Sequence, residues 1–163
     1  LAALGQLADA RAALARASGV REHVQLNELD SLGLTFSWPR QLYLAADALA
    51  WGGASTASET ERLALEALDA YMDSPPEHRA FGMEAGARSA LAVARVLRRE
   101  IEGATEALAP VFELPPANRI RGIVASVEHV RGALHTINES GRDATELASA
   151  IEGFTSQHLA PER

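Results

Sequence analysis

Arg40, Tyr43, Asp47 and Trp51 recur at steps of three and four residues. On a helix they would form one stripe carrying a cation, an anion and two aromatic rings. Glu84, Arg88 and Arg95 recur at steps of four and seven and would share a side of a second helix. An arginine fork can grip a carboxylate bidentately, and aromatic rings offer rigid contact area at small entropic cost. Together these residues suit a groove for a peptide, a protein segment or a small acidic ligand. They also have a purely structural use. Tyr43 and Trp51 could pack against the preceding hairpin, and Arg88 and Arg95 could make inter-helix ion pairs with Asp47 or Glu84.

Other chemistry is poorly represented. Of the five histidines, His23, His78, His129, His135 and His158, only His129 and His135 could share a helix, and six residues place them about 120° apart rather than on one face. His135 and Glu139 have the i, i+4 spacing, but two ligands do not make a metal site. The pattern HExxH does not occur, nor does GxSxG or a phosphate-cradling glycine loop. Carboxylates are spread as a solvated surface needs, and pairs such as Glu128 with Arg131 or Glu59 with Arg62 read as i, i+3 contacts worth a few tenths of a kcal/mol. The expectation is a chain that is not an enzyme, with no catalytic residue, no metal ligand set and no cofactor.

The chain that must position these residues has 163 of them, 47% hydrophobic and 5% aromatic, with 22 acidic against 15 basic side chains and a formal charge of −7. A domain of this length buries roughly 70% of the surface its unfolded form exposes, so one compact unit spanning residues 1–163 is expected without a staple. Cysteine is absent, which excludes a disulfide framework and thiolate metal sites and fits a reducing cytoplasm. The apolar runs are short and broken by charge, so neither a membrane span nor a signal peptide is expected. The negative charge argues against this segment holding DNA by itself. All 15 basic residues are arginine and 33 residues are alanine, the usage of a GC-rich genome. The chain begins at Leu1, which suggests a piece of a longer protein.

Alanine, leucine, arginine and glutamate favour helix, and the 13 valines and isoleucines never alternate with polar residues as a strand requires. Eight helices are expected: Leu1 to Ala17, stopping at Ser18-Gly19; Val20 to Leu32; Pro39 to Gly52; a fourth opening at Ser55 or Ser58, where Glu61 completes a capping-box pattern, and ending before Pro75; Gly82 to Arg99; Gly103 to Leu114; Asn118 to Asn138; and Asp143 to Leu159. An internal repeat runs through them. ALEALDAYMDSPPEHR (Ala64 to Arg79) is followed forty positions later by ATEALAPVFELPPANR (Ala104 to Arg119), with seven of sixteen positions identical, including the Pro-Pro pair and the closing arginine. Helix, tight turn and helix at this period is the mark of an αα solenoid. Small residues at Ala45, Ala57, Ala64, Ala92 and Ala104 fall where the helices of a tetratricopeptide-like hairpin cross closely. In such arrays the first helix of each hairpin lines the concave groove, which is where the two stripes would lie. Leu1 to Leu32 would cap the array, lead toward a further domain or offer a dimer surface.

FSWPRQLYLAADALAWGG (Phe36 to Gly53), the run from Glu84 to Arg119 and IEGF (Ile151 to Phe154) resemble the C-terminal tetratricopeptide-like region of actinobacterial helix-turn-helix regulators of the Cro/repressor-like (XRE) type. The likeness covers about Gly33 to Leu159. It departs from the pattern after Leu97, where Arg98-Arg99 stand in place of a turn glycine. The resemblance implies an all-α, tetratricopeptide-like αα-hairpin solenoid that senses a ligand or mediates assembly, with DNA read only by an N-terminal domain absent from this chain. A constitutive scaffold or oligomerisation module without a ligand is the competing expectation.

Overall fold

The computed structural model describes residues 1–23, 37–75 and 79–156. These form seven α-helices and, among the described residues, no strand: α1 Leu7–His23, α2 Trp38–Ala50, α3 Ala57–Met72, α4 Phe81–Leu97, α5 Ile101–Phe112, α6 Arg121–Ile137 and α7 Arg142–Ser156. None is long and apolar enough to cross a membrane. One expected boundary is moved at the N-terminus. The expected stop at Ser18-Gly19 does not occur, because α1 runs through it to His23. A glycine in the middle of a helix costs only about 1 kcal/mol relative to alanine, and alanines and arginines fill the turns before it. The remainder of the expected second helix, and of the last one beyond Ser156, lies outside the described residues.

Local signals moved several other boundaries. Helix α5 opens at Ile101 rather than Gly103, and Asn118 belongs to a 3-10 turn, Pro116–Asn118, ahead of α6. The capping box at Ser58 and Glu61 does not form. Thr56 stands at the N-cap without a side-chain cap, because its hydroxyl instead donates back to Leu49 O at 2.6 Å, with Gly53 O also in range at 3.1 Å. That bond ties α2 to α3 and explains the Gly52-Gly53 pair. A Cβ on Gly52 would lie 2.6 Å from Thr56, and Gly53 has φ +66°, a conformation cheap only for glycine.

Helix α4 is the centre of the fold, with ten of its 17 residues buried. It packs against α2, α3, α5 and α6, while α2 also packs on α3, α5 on α7, and α6 on α7. Side chains small enough for close helix approach make this possible. Ala64, Ala92 and Ala104 are 0% exposed and Ala57 is 3% exposed, and only Ala45 of the five expected small positions is half-buried. Val93, Val96, Leu108, Val111, Val127, Val130, Leu147 and Ile151 fill the space around them.

The forty-residue repeat has a structural counterpart at its arginines. Arg79 Nε donates to Ser74 O at 2.8 Å, and its Nη2 donates to Met72 O. Forty residues on, Arg119 Nε donates to Leu114 O at 2.9 Å and its Nη2 to Phe112 O at 3.4 Å. Each arginine thus reaches back five and seven residues to satisfy carbonyls at the C-terminal end of the preceding helix, where a cation is favoured by the helix dipole. Arg119 also lies over the Phe154 ring, 4.5 Å from its centroid, pinning α7 to the corner. The turn after Leu97 solves its missing glycine differently. Arg99 adopts φ 65°, a strained choice for a side-chain-bearing residue, and is held there by an ion pair to Glu139 at 2.8 Å and a bond to Ile137 O at 3.3 Å.

Candidate functional site

On a helix, residues two apart point to nearly opposite sides, and α4 uses this to separate two environments. Glu84, Arg88 and Arg95 face α3 and α5. Arg88 pairs with Glu84 at 2.8 Å one turn earlier. Arg95 Nε bonds Glu61 Oε1 of α3 at 3.3 Å and Nη1 donates to Gly103 O of α5 at 2.8 Å. A Cβ on Gly103 would sit 3.2 Å from Arg95 Cδ, so glycine is what lets the guanidinium stem lie against α5. Arg98 completes the cluster with a 3.1 Å contact to Glu61. These arginines are committed to internal partners. The cavity beside Arg88, lined by Phe81, Glu84, Pro110, Val111 and Leu114, measures about 70 Å³, well under the roughly 300 Å³ lower bound of small-molecule sites. An open hollow of about 570 Å³ lies at the starts of α5 and α7, but its arginines are also paired, Arg99 with Glu139 and Arg142 with Glu146.

The opposite side of α4 carries Gly86, and there Tyr43 of α2 lies on the helix backbone. A Cβ at Gly86 would stand 2.6 Å from Tyr43 Cζ and 2.8 Å from its hydroxyl, so no other residue fits without displacing the ring. Two turns further along α2, Trp51 stacks on His129 of α6, with ring centroids 3.9 Å apart and planes inclined by 17°. Helices α2 and α6 each pack on α4, and the stack shows that they stand on the same side of it. The Trp51–His129 stack therefore joins the end of α2 to α6 beside a side of α4 whose residues Gly86, Ala90 and Val93 are buried.

Asp47 sits on the α2 stripe one turn after Tyr43 and one turn before Trp51. It is half-buried. Among the described carboxylates shielded from solvent, Glu61, Glu84, Glu128 and Glu139 each have an arginine within 3.3 Å. Asp47 makes neither an ion pair nor a hydrogen bond among the described residues. Burial pushes its carboxyl above the usual aspartate value. Burial and then the Asp47 charge push the Tyr43 phenol upward, against a smaller opposing pull from Arg40, and burial lowers His129. In all three groups burial is the leading cause of the shift.

The seven expected residues therefore do not form one groove. Arg40, Tyr43, Asp47 and Trp51 stand along α2 and its C-terminal cap, and Glu84, Arg88 and Arg95 are gathered on the far side of α4. The structural alternative needs correcting as well. Asp47 pairs with neither Arg88 nor Arg95; Tyr43 packs on α4 and Trp51 on α6, and the part of the preceding hairpin beyond α1 lies outside the described residues. Glu59 bonds Arg11 of α1 at 2.7 Å instead of Arg62, which pairs with Glu66, while Glu128 and Arg131 do meet, at 2.6 Å. Two residues escaped sequence reasoning. Gly86, a glycine inside a helical run, carries the general signal of close backbone approach. No sequence signal links His129 to Trp51, 78 positions away. No group of three potential metal ligands occurs among the described residues. Comparison with protein-family models, with curated proteins and with solved structures returned no match.

Proposed function

We propose that the chain is the ligand- or peptide-sensing domain of a helix-turn-helix transcriptional regulator, built as a tetratricopeptide-like array of the hairpins α2/α3, α4/α5 and α6/α7. The observation that carries this reading is the succession of helical hairpins with matching arginine corners, beside which the half-buried Asp47 of α2 has no partner among the described residues. A folded chain has no stabilising use for a shielded carboxylate without a partner, whereas a binding site does. The first helices of the three hairpins pack in sequence, α2 on α4 and α4 on α6, and the repeated arginine corners support a repeating unit. Binding along these first helices would draw α2 and α6 together or apart and so bias the curvature of the array. That change would be felt by a DNA-reading domain joined to it.

The test is thermal unfolding of the purified chain against fractions of a cell extract. A ligand that binds only the folded state raises the midpoint as its concentration rises. A midpoint indifferent to every fraction, together with a dimer that persists on dilution, would replace sensing by a constitutive scaffold.

A further inference from the structure

We propose that the cavity between α1, α2 and α3 is a site for a small neutral aromatic molecule, a single ring carrying one hydrogen-bonding group. The cavity measures about 160 Å³. The inference goes beyond the sensing reading above and does not depend on it.

Volume, lining and charge each narrow the ligand. An apolar cavity of about 150 Å³ is enough to take up benzene, so this one admits a single ring and excludes a peptide or a drug-sized molecule. Leu14 and Ala17 of α1, Trp38, Leu42 and Ala45 of α2, and Leu63 of α3 supply its apolar walls, and the indole offers a bound ring a face or an edge. The position of Ala45 is explained at the same time. It is half-buried, unlike the other small residues expected at close crossings, because it faces this space. Gln41 supplies the polar group of the lining and is 8% exposed. Its Oε1 accepts from Arg21 Nη1 at 3.2 Å, and its Nε2 donates to Ser18 Oγ at 3.5 Å. A primary amide has two N–H donors and two carbonyl lone pairs, so beyond these two bonds it has one of each for a ligand. Charge at the mouth is already balanced, since Arg62 and Glu66 pair with each other at 2.6 Å, and an added charge would be shielded there without a partner. Entry is past α1. Among the described residues of that helix Ala10 alone is buried, and the ion pair from Arg11 to Glu59 of α3 joins two exposed side chains, so α1 can lift at small cost.

Titration of the isotope-labelled chain with phenol, toluene and benzoate, followed by NMR, tests this. Saturable shifts of the Gln41 amide and Trp38 indole N–H signals are expected with phenol and with toluene, and none with benzoate. Gln41→Leu should weaken phenol about threefold to tenfold and leave toluene unchanged, with circular dichroism confirming that the variant is folded. Ala45→Leu fills the cavity and should abolish binding of both rings without lowering the thermal midpoint. Ala17→Leu fills it from the α1 wall and gives the same reading if Ala45→Leu does not fold. No saturable shift with either ring up to about 10 mM, binding that survives a filled cavity, or benzoate bound as tightly as phenol overturns the proposal. Equal phenol affinity in the native chain and in folded Gln41→Leu overturns it too.

Discussion

The two long sides of α4 meet their neighbours by different means. Toward α3 and α5, carboxylates and arginines meet at 2.8 to 3.3 Å and close on each other. Toward α2 and α6 the helix offers buried Gly86, Ala90 and Val93, and the half-buried Asp47 of α2 makes no ion pair or hydrogen bond among the described residues. The first side is electrostatically finished and serves cohesion. The second holds by close packing, and there burial raises the Asp47 carboxyl above its usual value. A charged residue in a helical array is thus judged better by whether its partner is internal than by its type.

The comparison can be broken most strongly at Gly86. Gly86→Ala should cost about 1–3 kcal/mol by forcing the Tyr43 ring off α4, read as a fall in the urea midpoint at unchanged slope. In a Tyr43→Ala background the same step should cost much less. Equal costs in both backgrounds would show that the ring is not what excludes a side chain there. Arg95→Ala should come next, losing about 1–2 kcal/mol because Glu61 and the Gly103 carbonyl lose a charged donor together. A loss near zero would mean that the far side of α4 holds by its apolar packing alone.

Asp47→Asn should have the smallest effect and the opposite sign. The folded-state pKa of Asp47 is raised above its unfolded value. The charge therefore burdens the unliganded fold at neutral pH, and the burden lifts as pH falls through the folded pKa. The variant should melt about 1–2 °C higher at pH 7, which corresponds to roughly 0.5 kcal/mol in a domain of this size, and should show no advantage near pH 3. A destabilised variant at pH 7 would reveal that the carboxylate has a structural partner after all.

Much of the architecture could be read from composition and period. Helix-forming residues, glycine and proline punctuation and the forty-residue repeat located six of the seven helices to within a few residues, and the alanines marked most of the close crossings. The break at Ser18-Gly19 misled because glycine weakens a helix without ending it. The Ser58 capping box misled because Thr56 had a better use for its position at a turn closed by its own hydroxyl. The site was legible in halves. Each stripe was visible as a helical spacing, but which way α4 turned each stripe depends on what packs around it. The Trp51–His129 stack depends on three helices meeting, and spacing within one helix carries no such information.

The paired arginine corners have a kinetic consequence. Arg79 and Arg119 reach only to carbonyls five and seven residues behind them, so each corner is a contact of very low sequence separation. Closing a loop of this size takes on the order of 10–100 ns, far less than the search for distant partners. Each bend can therefore form before the helices it joins have found α4. A chain with two such early bends, forty residues apart, can begin folding from more than one place before the distant helices pair.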